Sequence, residues 1–339
     1  PRSRSVAAGG GTSFFDMPLN STPCTVNAAA FDAKRAALEA SSITDFALWG
    51  GLVPGAASDM PEMAARGVVG FKAFMCDSGL PEFPRVDDVT LLDGLREAAR
   101  LRLPVAVHAE SEELTRGLRE RMTARTVRAF LDSRPVVAEL EAIQRALLLA
   151  KEAGASLHIV HVSCGRGVAL AAEARARGTD VSIETCPHYL FFTEQDVERL
   201  GPVAKCAPPL RATSEQHELW DELLQQHVDI VASDHSPALP SMKRGDMIAA
   251  WGGIAGVQST LAVLLEAGYH QRGLPLERIS ALLAAEPARR FRIRRKGTIE
   301  PGMDGDLVLV DLNRVATLTS GDLHQRHPLT PYRGYSFRG

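Results

Sequence analysis

The feature that most constrains the fold is a repeated alternation of short apolar runs with longer amphipathic stretches. The apolar runs lack a polar face, which is typical of parallel strands that helices cover on both sides. We predict strands at Thr12–Met17, Asp45–Gly50, Val68–Phe74, Pro104–Ala109, Leu157–Val162, Asp180–Glu184 and Asp229–Ser233. We predict helices at Asn27–Ala40, Asp88–Leu101, Val136–Ala153, Gly167–Arg177, Ser214–His227 and Gly253–Tyr269.

This pattern favours an α/β fold of the closed (β/α)8 barrel type over an open doubly wound sheet, because strand–helix units repeat over about 250 residues. No Gly-x-Gly-x-x-Gly motif follows the first predicted strand, which weakens a dinucleotide-binding interpretation. One barrel strand is unaccounted for, and we expect it to be the first strand and to be missing from this chain. We assign residues 1–290 to the barrel. The turn clusters and alternating strand of Lys296–Asp311 predict a small β appendage over 291–339.

Composition excludes several classes of protein. The chain has 38 Lys+Arg against 41 Asp+Glu, so its net charge of −3 argues against nucleic acid and anionic membrane surfaces as partners. With 45% hydrophobic residues it is not disordered, and no apolar stretch reaches the ~18 residues of a membrane helix. The five cysteines form no CxxC pair and the N-terminus has no signal-peptide core, so we expect a cytoplasmic protein without disulfides.

Four polar side chains lie at the carboxyl ends of predicted strands, where barrels of this type carry their catalytic groups. They are Lys72, His108, His161 and Asp234. His158 lies three residues before His161 and so points to the opposite face of the strand, which makes His161 the better candidate. Alone, each has an ordinary structural explanation, as a salt-bridge lysine, a core histidine or a turn-capping aspartate. Together, at one end of one barrel, they predict a metal site.

The donor types suggest the chemistry of that site. Imidazole and carboxylate ligands suit zinc, manganese, cobalt or iron. A desolvated neutral lysine reacts with CO2 to give a carbamate, whose two oxygens could bridge a pair of metals. Such a pair activates water and polarises a carbonyl, and Asp234 could carry the proton from that water to a leaving nitrogen. One metal still needs donors, which we expect from a His-x-His on the missing strand; this chain contains no His-x-His.

Further segments in the same order carry specific motifs. They are Asp16–Pro23, Gly70–Met75, Ser78–Pro84, Glu184–Tyr189, Lys205–Arg211, Ser233–Pro237 and Trp251–Gly256. Across nearly the whole chain, they resemble the cyclic amidohydrolases of the amidohydrolase superfamily, and most closely its allantoinase branch. Leu19 favours that branch, because the dihydroorotases have a shorter version of the Asp16–Pro23 segment.

The resemblance implies a metal-dependent hydrolase that opens the hydantoin ring of allantoin to give allantoate. It makes Lys72 the carboxylated bridge between two divalent metals, with zinc the first expectation and manganese, cobalt or iron as alternatives. His108 and His161 become metal ligands, and Asp234 becomes both a ligand and the general base. A dihydropyrimidinase or hydantoinase activity, or a non-catalytic scaffold that keeps the barrel, remain the alternatives.

The resemblance also implies substrate contacts and partners, and it shows where this chain differs from its relatives. Ser78, Gly79 and Gly253 fall where loops would contact the substrate, and His188 would face the substrate or the metal ligands unless it is only a structural turn residue. Ala207 stands where many relatives have Ser or Asn. The implied partners are a small-molecule substrate and further copies of the chain in a homotetramer, with no nucleic acid and no membrane. Residues 291–339 would be part of a β-sandwich. Without the His-x-His strand, we expect this chain to turn over weakly or not at all.

Overall fold

Parallel strand pairing in chain order organises the molecule. The computed structural model describes residues 2–339, and its strands are β1 (Ser13–Asp16), β2 (Asp45–Leu48), β3 (Gly50–Gly51), β4 (Phe71–Phe74), β5 (Val105–His108), β6 (Leu157–Ile159), β7 (Val181–Thr185), β8 (Ile230–Val231), β9 (Val315–Thr317) and β10 (Ser336–Arg338). β1 pairs with β2, and β3 to β8 form a ladder in which every pair is parallel. β2 and β3 are separated only by Trp49, whose amide donates to the Asp16 carbonyl. All seven segments that the sequence predicts as strands therefore contain strand.

The helices lie between these strands and after them. They are α1 (Arg2–Ala8), α2 (Ala28–Glu39), α3 (Met60–Ala65), α4 (Asp88–Leu101), α5 (Glu112–Glu120), α6 (Val127–Asp132), α7 (Val136–Ala153), α8 (Gly165–Ala176), α9 (Pro187–Phe191), α10 (Glu194–Leu200), α11 (Thr213–Leu224), α12 (Thr260–Val263), α13 (Leu276–Ser280) and α14 (Glu286–Arg290). Shorter 3₁₀ turns occupy Ala56–Asp59, Gly201–Ala204, Pro240–Lys243, Val257–Ser259 and Ser320–Asp322, and π-helical turns occupy Leu264–His270 and Ala281–Ala285. None of the helices within residues 2–339 combines the length and the apolar character needed to cross a bilayer.

Local sequence explains the helix starts. Asn27 and Asp87 precede α2 and α4 in extended conformations, and their side chains accept hydrogen bonds from the amides of Ala30 and Thr90. This capping satisfies amides that have no partner within the helix. The bounds of α4 and α7 are those that the sequence predicts. The fold therefore follows local signals over its central part.

Two regions differ from the prediction. The helix predicted over Gly253–Tyr269 begins only at Val257, because the Gly253 amide donates to the Lys205 carbonyl and Ile254 bridges to His235 instead. The strand predicted within Lys296–Asp311 does not form. Residues 305–311 are exposed throughout, so packing buries neither face of the segment, and the antiparallel strands of this region are β9 and β10.

The core lies between the ladder and the outer helices. Phe71 and Leu157 on the strands, Leu95 on α4 and Ile143 on α7 are fully or almost fully buried. Each buried side chain of this size stabilises the fold by about 1.5–3 kcal/mol through removal from water. This packing holds the strands rigidly in register, so the residues at their carboxyl ends keep fixed relative positions.

Candidate active site

The polar residues predicted at the strand ends line one cavity. The cavity has a volume of about 1050 Å³, and Lys72, His108, His161 and Asp234 all contribute to its wall. They come from four places in the chain, at or just after β4, β5, β6 and β8. Parallel pairing of these strands brings their carboxyl ends to the same side, which is why residues so far apart in sequence meet here.

Two histidines converge inside this cavity. His108 is the last residue of β5 and is paired in register with Phe74, while His161 follows β6 by two residues. The Nδ1 atom of His108 lies 3.1 Å from the Nε2 atom of His161. The His108 ring also stacks on Phe74, with the ring centroids 4.6 Å apart and the planes 15° apart. The two imidazoles are thus within hydrogen-bond distance of each other inside the cavity.

Lys72 is buried beside this pair. Its ammonium donates to the Ala73 carbonyl at 3.0 Å and lies 4.0 Å from the centroid of the Phe74 ring. Burial lowers the pKa of Lys72 to about 7, although the nearby Asp234 carboxylate acts in the opposite direction. A substantial fraction of the amine is therefore neutral near pH 7, which is the form that reacts with CO2.

His161 and Asp234 both adopt left-handed backbone conformations, with φ values of 43° and 40°. Such conformations cost about 1–3 kcal/mol each for residues other than glycine, and they cluster at functional sites. Hydrogen bonds from residues one and two positions further along hold these turns, because the Val162 amide donates to the Glu184 carbonyl at 2.8 Å and the Ser236 amide donates to the Ile254 carbonyl at 3.0 Å. The surrounding structure thus stabilises the turns that point these side chains inward.

The protonation of these groups suits a divalent cation. Burial lowers the pKa of His108 to about 4 and holds that of His161 well below its usual range, so both rings are neutral near pH 7. Burial and Glu184 raise the pKa of Asp234 to about 6, against the effect of Lys72. The buried Nδ1 of His161 has no hydrogen-bond partner among residues 2–339. Two converging imidazole nitrogens, a carboxylate and a reactive amine fit a metal site of the zinc type.

Three of the residues predicted to contact substrate also line the cavity, namely Ser78, Gly79 and Gly253. The Ser78 hydroxyl donates to the Phe83 carbonyl at 2.6 Å and accepts from the Leu80 amide at 3.1 Å. It therefore stabilises its own loop. Gly79 has a φ of +79°, and the loop tip that it forms leaves the site of a Cβ open.

Gly253 occupies a more constrained position. Its φ is +141°, and a Cβ there would lie 2.4 Å from the Ser236 hydroxyl oxygen. Its carbonyl accepts from the buried ammonium of Lys243 at 2.6 Å. The same ammonium donates to the Pro202 carbonyl at 3.0 Å. Lys243 thus joins the Gly253 loop to the 3₁₀ turn at Gly201–Ala204.

His188 and Ala207 differ from each other in their relation to the cavity. His188 does not line the cavity and is buried against Tyr189, with the ring centroids 4.3 Å apart. Neither of its ring nitrogens has a hydrogen-bond partner among the described residues, and burial lowers its pKa to about 3. Ala207 lines the cavity, where its methyl group presents no hydrogen-bonding atom.

Sequence reasoning missed a buried carboxylate beside His108. Glu110 accepts a hydrogen bond from the His108 ring, with the Nε2 and Oε2 atoms 2.8 Å apart, and it also pairs with Arg134. Burial acts to raise the pKa of Glu110, but Arg134 and His108 outweigh it and hold that pKa at about 2. The spacing His108-Ala-Glu110 was the available signal, because residues two apart in an extended chain share a face.

A second buried ion pair supports the turn after His161. Arg211 pairs with Glu139 at 2.9 Å, and both side chains are almost fully buried. The Ser163 amide donates to Glu139 at 2.7 Å. Because Ser163 lies two residues beyond His161, this pair fixes the chain as it leaves the site.

Comparison with known proteins gives a consistent result. The model of the amidohydrolase family matches residues 4–334. A protein from Solibacter usitatus named allantoinase is 66% identical over 341 residues, covering 99% of this chain and 75% of that protein. A Rubrobacter xylanophilus protein of the same name is 58% identical over 340 residues, which cover 99% of this chain and 75% of that protein.

Solved structures share the fold. The L-hydantoinase (dihydropyrimidinase) from Arthrobacter aurescens has a TM-score of 0.97 at 35% identity, covering 99% of this chain and 76% of that one. A D-hydantoinase (dihydropyrimidinase) from Thermus sp. has a TM-score of 0.92 at 25% identity, and the match covers 99% of this chain and 75% of that one. The predicted resemblance and the α/β barrel fold class are thereby confirmed.

Proposed function

This chain belongs to the amidohydrolase family, and from that premise we propose that it hydrolyses a ring amide of allantoin to give allantoate. The observation that carries the proposal is the convergence of Lys72, His108, His161 and Asp234 on one cavity. The curated relatives named allantoinase support the choice of substrate, since they match almost the whole chain at high identity. A hydrolase that acts on cyclic amides fits both the family and the site.

The proposed reaction is a hydrolytic ring opening. Water adds to a ring carbonyl carbon, and the bond from that carbon to the ring nitrogen breaks. One proton of the water goes to the departing nitrogen, and the other leaves to solvent when the new carboxylic acid ionises, so the products are a carboxylate and an N–H group. Asp234 accepts the proton from the water and delivers it to the departing nitrogen.

We propose that His108, His161, Asp234 and carboxylated Lys72 hold two divalent metal ions, with zinc as the first choice and manganese, cobalt or iron as alternatives. Bound metals supply Lewis acidity at the carbonyl and lower the pKa of water. The contribution of the chain is to keep both imidazoles neutral, to desolvate Lys72 and to hold Asp234 facing the cavity. The loops that carry Ser78, Gly79 and Gly253 would enclose the ring, while His188 would act from outside the cavity lining.

A second candidate is hydantoinase or dihydropyrimidinase activity. It is favoured by the close structural match to an enzyme with that name. Allantoin is itself a hydantoin that carries a ureido substituent, so the two activities differ in what the cavity wall accepts beyond the ring. Ala207 and the loop at Ser78 and Gly79 are the places where that difference would lie.

A substrate panel separates these candidates. The protein, expressed from its complete gene and loaded with zinc and bicarbonate, is assayed with allantoin, hydantoin, dihydrouracil and dihydroorotate. The proposal expects the highest kcat/KM with allantoin. A preference for dihydrouracil would reject the allantoin assignment, and a lack of turnover with every cyclic amide would favour a non-catalytic scaffold.

We also propose a cytoplasmic homotetramer in which residues 291–339 belong to a β-sandwich. The free state of all five cysteines supports a reducing compartment. The family resemblance supports the tetramer and the sandwich. Light scattering coupled to size-exclusion chromatography measures the oligomeric state directly, and a monomer in solution would reject the tetramer.

A further inference from the structure

The two ring nitrogens of His108 face different partners. Nε2 lies 2.8 Å from Glu110 Oε2, and Nδ1 lies 3.1 Å from His161 Nε2 inside the cavity. Stacking on Phe74 fixes the plane of the ring, and the contacts with Glu110 and His161 fix which edge of the ring faces each partner. Which nitrogen carries the proton therefore decides which one offers a lone pair to the cavity.

Glu110 determines the position of that proton. An ionised carboxylate accepts hydrogen bonds and cannot donate one, so the nitrogen that faces it must carry the hydrogen. Glu110 is fully buried and pairs with the Arg134 guanidinium, which keeps it ionised. The lone pair of His108 then lies on Nδ1 and points toward His161.

The geometry of the Glu110–Arg134 ion pair indicates that Glu110 serves His108 as well as Arg134. Both contacts of Glu110 use Oε2, while Oε1 has no hydrogen-bond partner among the described residues. An ion pair built only for stability would gain from a bidentate arrangement that uses both oxygens. Arg134 is itself anchored, because its carbonyl accepts a hydrogen bond from the Arg211 guanidinium.

We propose that Glu110, held by Arg134, is a positioning residue that fixes His108 as a ligand through Nδ1. The inference rests on the proposed function, in which His108 binds a metal ion. His161 provides a contrast, because no described carboxylate hydrogen-bonds to its ring and its Nδ1 has no hydrogen-bond partner among residues 2–339. Carboxylate partners of ligating histidines affect metal affinity by about 10–100-fold.

The first test reads the tautomer directly in the metal-free protein. Nitrogen-15 NMR of histidine-labelled protein, with His108 assigned through His108→Asn, should show its proton on Nε2. In Glu110→Gln the side-chain amide can donate to Nε2, so we expect a detectable population with the proton on Nδ1. An unchanged tautomer in Glu110→Gln would overturn the proposal, and a merely structural role for Glu110 would leave it unchanged.

The second test measures zinc binding by competition with a chromophoric chelator. Glu110→Gln should weaken binding about 10–100-fold, and zinc affinity equal to that of the parent protein would contradict the proposal. Asp229→Asn is the matched control, because Asp229 is a partly buried carboxylate that pairs with Arg175 at 2.7 Å but contacts no histidine. It should retain the parent's zinc affinity, and an equal loss in this control would also count against a specific role.

Glu110→Gln leaves the Arg134 charge buried and could unfold the protein. The double variant Glu110→Gln/Arg134→Gln removes both charges together and should show the same tautomer change and the same loss of zinc affinity. A parent protein that binds no zinc would reject the proposed function. The tautomer in the metal-free protein would still decide whether Glu110 positions His108.

Discussion

At the scale of single residues, the site depends on groups whose burial changes their ordinary chemistry. Lys72 is 3% exposed, and its amine is partly neutral near pH 7 because water is excluded from it. Asp234 retains its proton to a higher pH than a surface aspartate does, for the same reason. These are the properties that a carbamate-forming lysine and a proton-transferring aspartate need.

The role of Lys72 can be tested by Lys72→Ala. Because the variant lacks the amine that would form the bridging carbamate, we expect it to lose bound metal and to lose turnover of allantoin. Elemental analysis of the purified variant and a ring-opening assay measure the two effects. Added acetate or propionate should restore part of the activity by supplying a carboxylate, whereas parent-like rates without any addition would reject the carbamate.

The role of Asp234 can be tested by Asp234→Asn. An amide cannot accept and return the proton, so we expect kcat to fall by about 10²–10⁴-fold, the usual contribution of a general acid–base group. Asp229→Asn serves here as the control, because Asp229 precedes β8 at the opposite end of the strand and should leave kcat close to that of the parent. If both variants kept the parent's kcat, Asp234 could not be the proton carrier.

The sequence could predict these individual residues but not their partners. Lys72, His108, His161 and Asp234 are recognisable because each lies at or near the carboxyl end of an apolar run. The contact of Glu110 with Arg134 joins residues 24 positions apart, across a segment that contains α5 and α6. Such a contact depends on how the intervening helices pack, which no local pattern records.

At the scale of elements, strands and helices with strong local signals were predictable. The regular apolar spacing and end signals of α4 and α7 match their observed bounds. The conformation of the segment after β8 was not predictable, because its backbone amides donate hydrogen bonds to distant loops and not to its own turns. Tertiary hydrogen bonds override helix propensity where Lys205 and His235 are close enough to compete.

That segment provides a test at the scale of a loop. In Gly253→Ala the new methyl group would lie 2.4 Å from the Ser236 hydroxyl oxygen, at a φ of +141° that alanine rarely adopts. We expect a loss of about 1–3 kcal/mol in the free energy of unfolding and a lower kcat/KM, because the loop supports the turn at Asp234. Urea denaturation and steady-state kinetics measure these effects.

Gly252→Ala is the matched control for this loop. A Cβ at Gly252 meets no atom within 4 Å, so the neighbouring variant should behave like the parent in both measurements. Equal losses of stability and kcat/KM in the two variants would show that the loop tolerates neither methyl group. That result would reject a specific role for the Gly253 backbone.

At the scale of the whole molecule, buried ion pairs join separate parts of the fold. Arg211 and Glu139 connect the loop before α11 to α7 and to the turn after β6. Removing one partner of such a pair leaves an uncompensated buried charge. This pair therefore links global stability to the geometry of the site.

Arg211→Met tests that link. We expect the free energy of unfolding to fall by about 3–5 kcal/mol, measured by chemical denaturation, because Glu139 loses its cation. Arg166→Met removes an exposed pair with Glu215 and should cost less than about 1 kcal/mol. Similar losses in the two variants would contradict the importance assigned to the buried pair.

The central claim is that this cavity opens the ring of allantoin only when its ligands hold metal. The most direct measurement follows carbonyl-labelled allantoin by carbon-13 NMR, with the protein from the complete gene first stripped by a chelator and then given zinc and bicarbonate. We predict that the ring carbonyl signal is stable with stripped protein and converts to a carboxylate signal after zinc is restored. No conversion after restoration, or equal conversion by the stripped protein, would contradict the account.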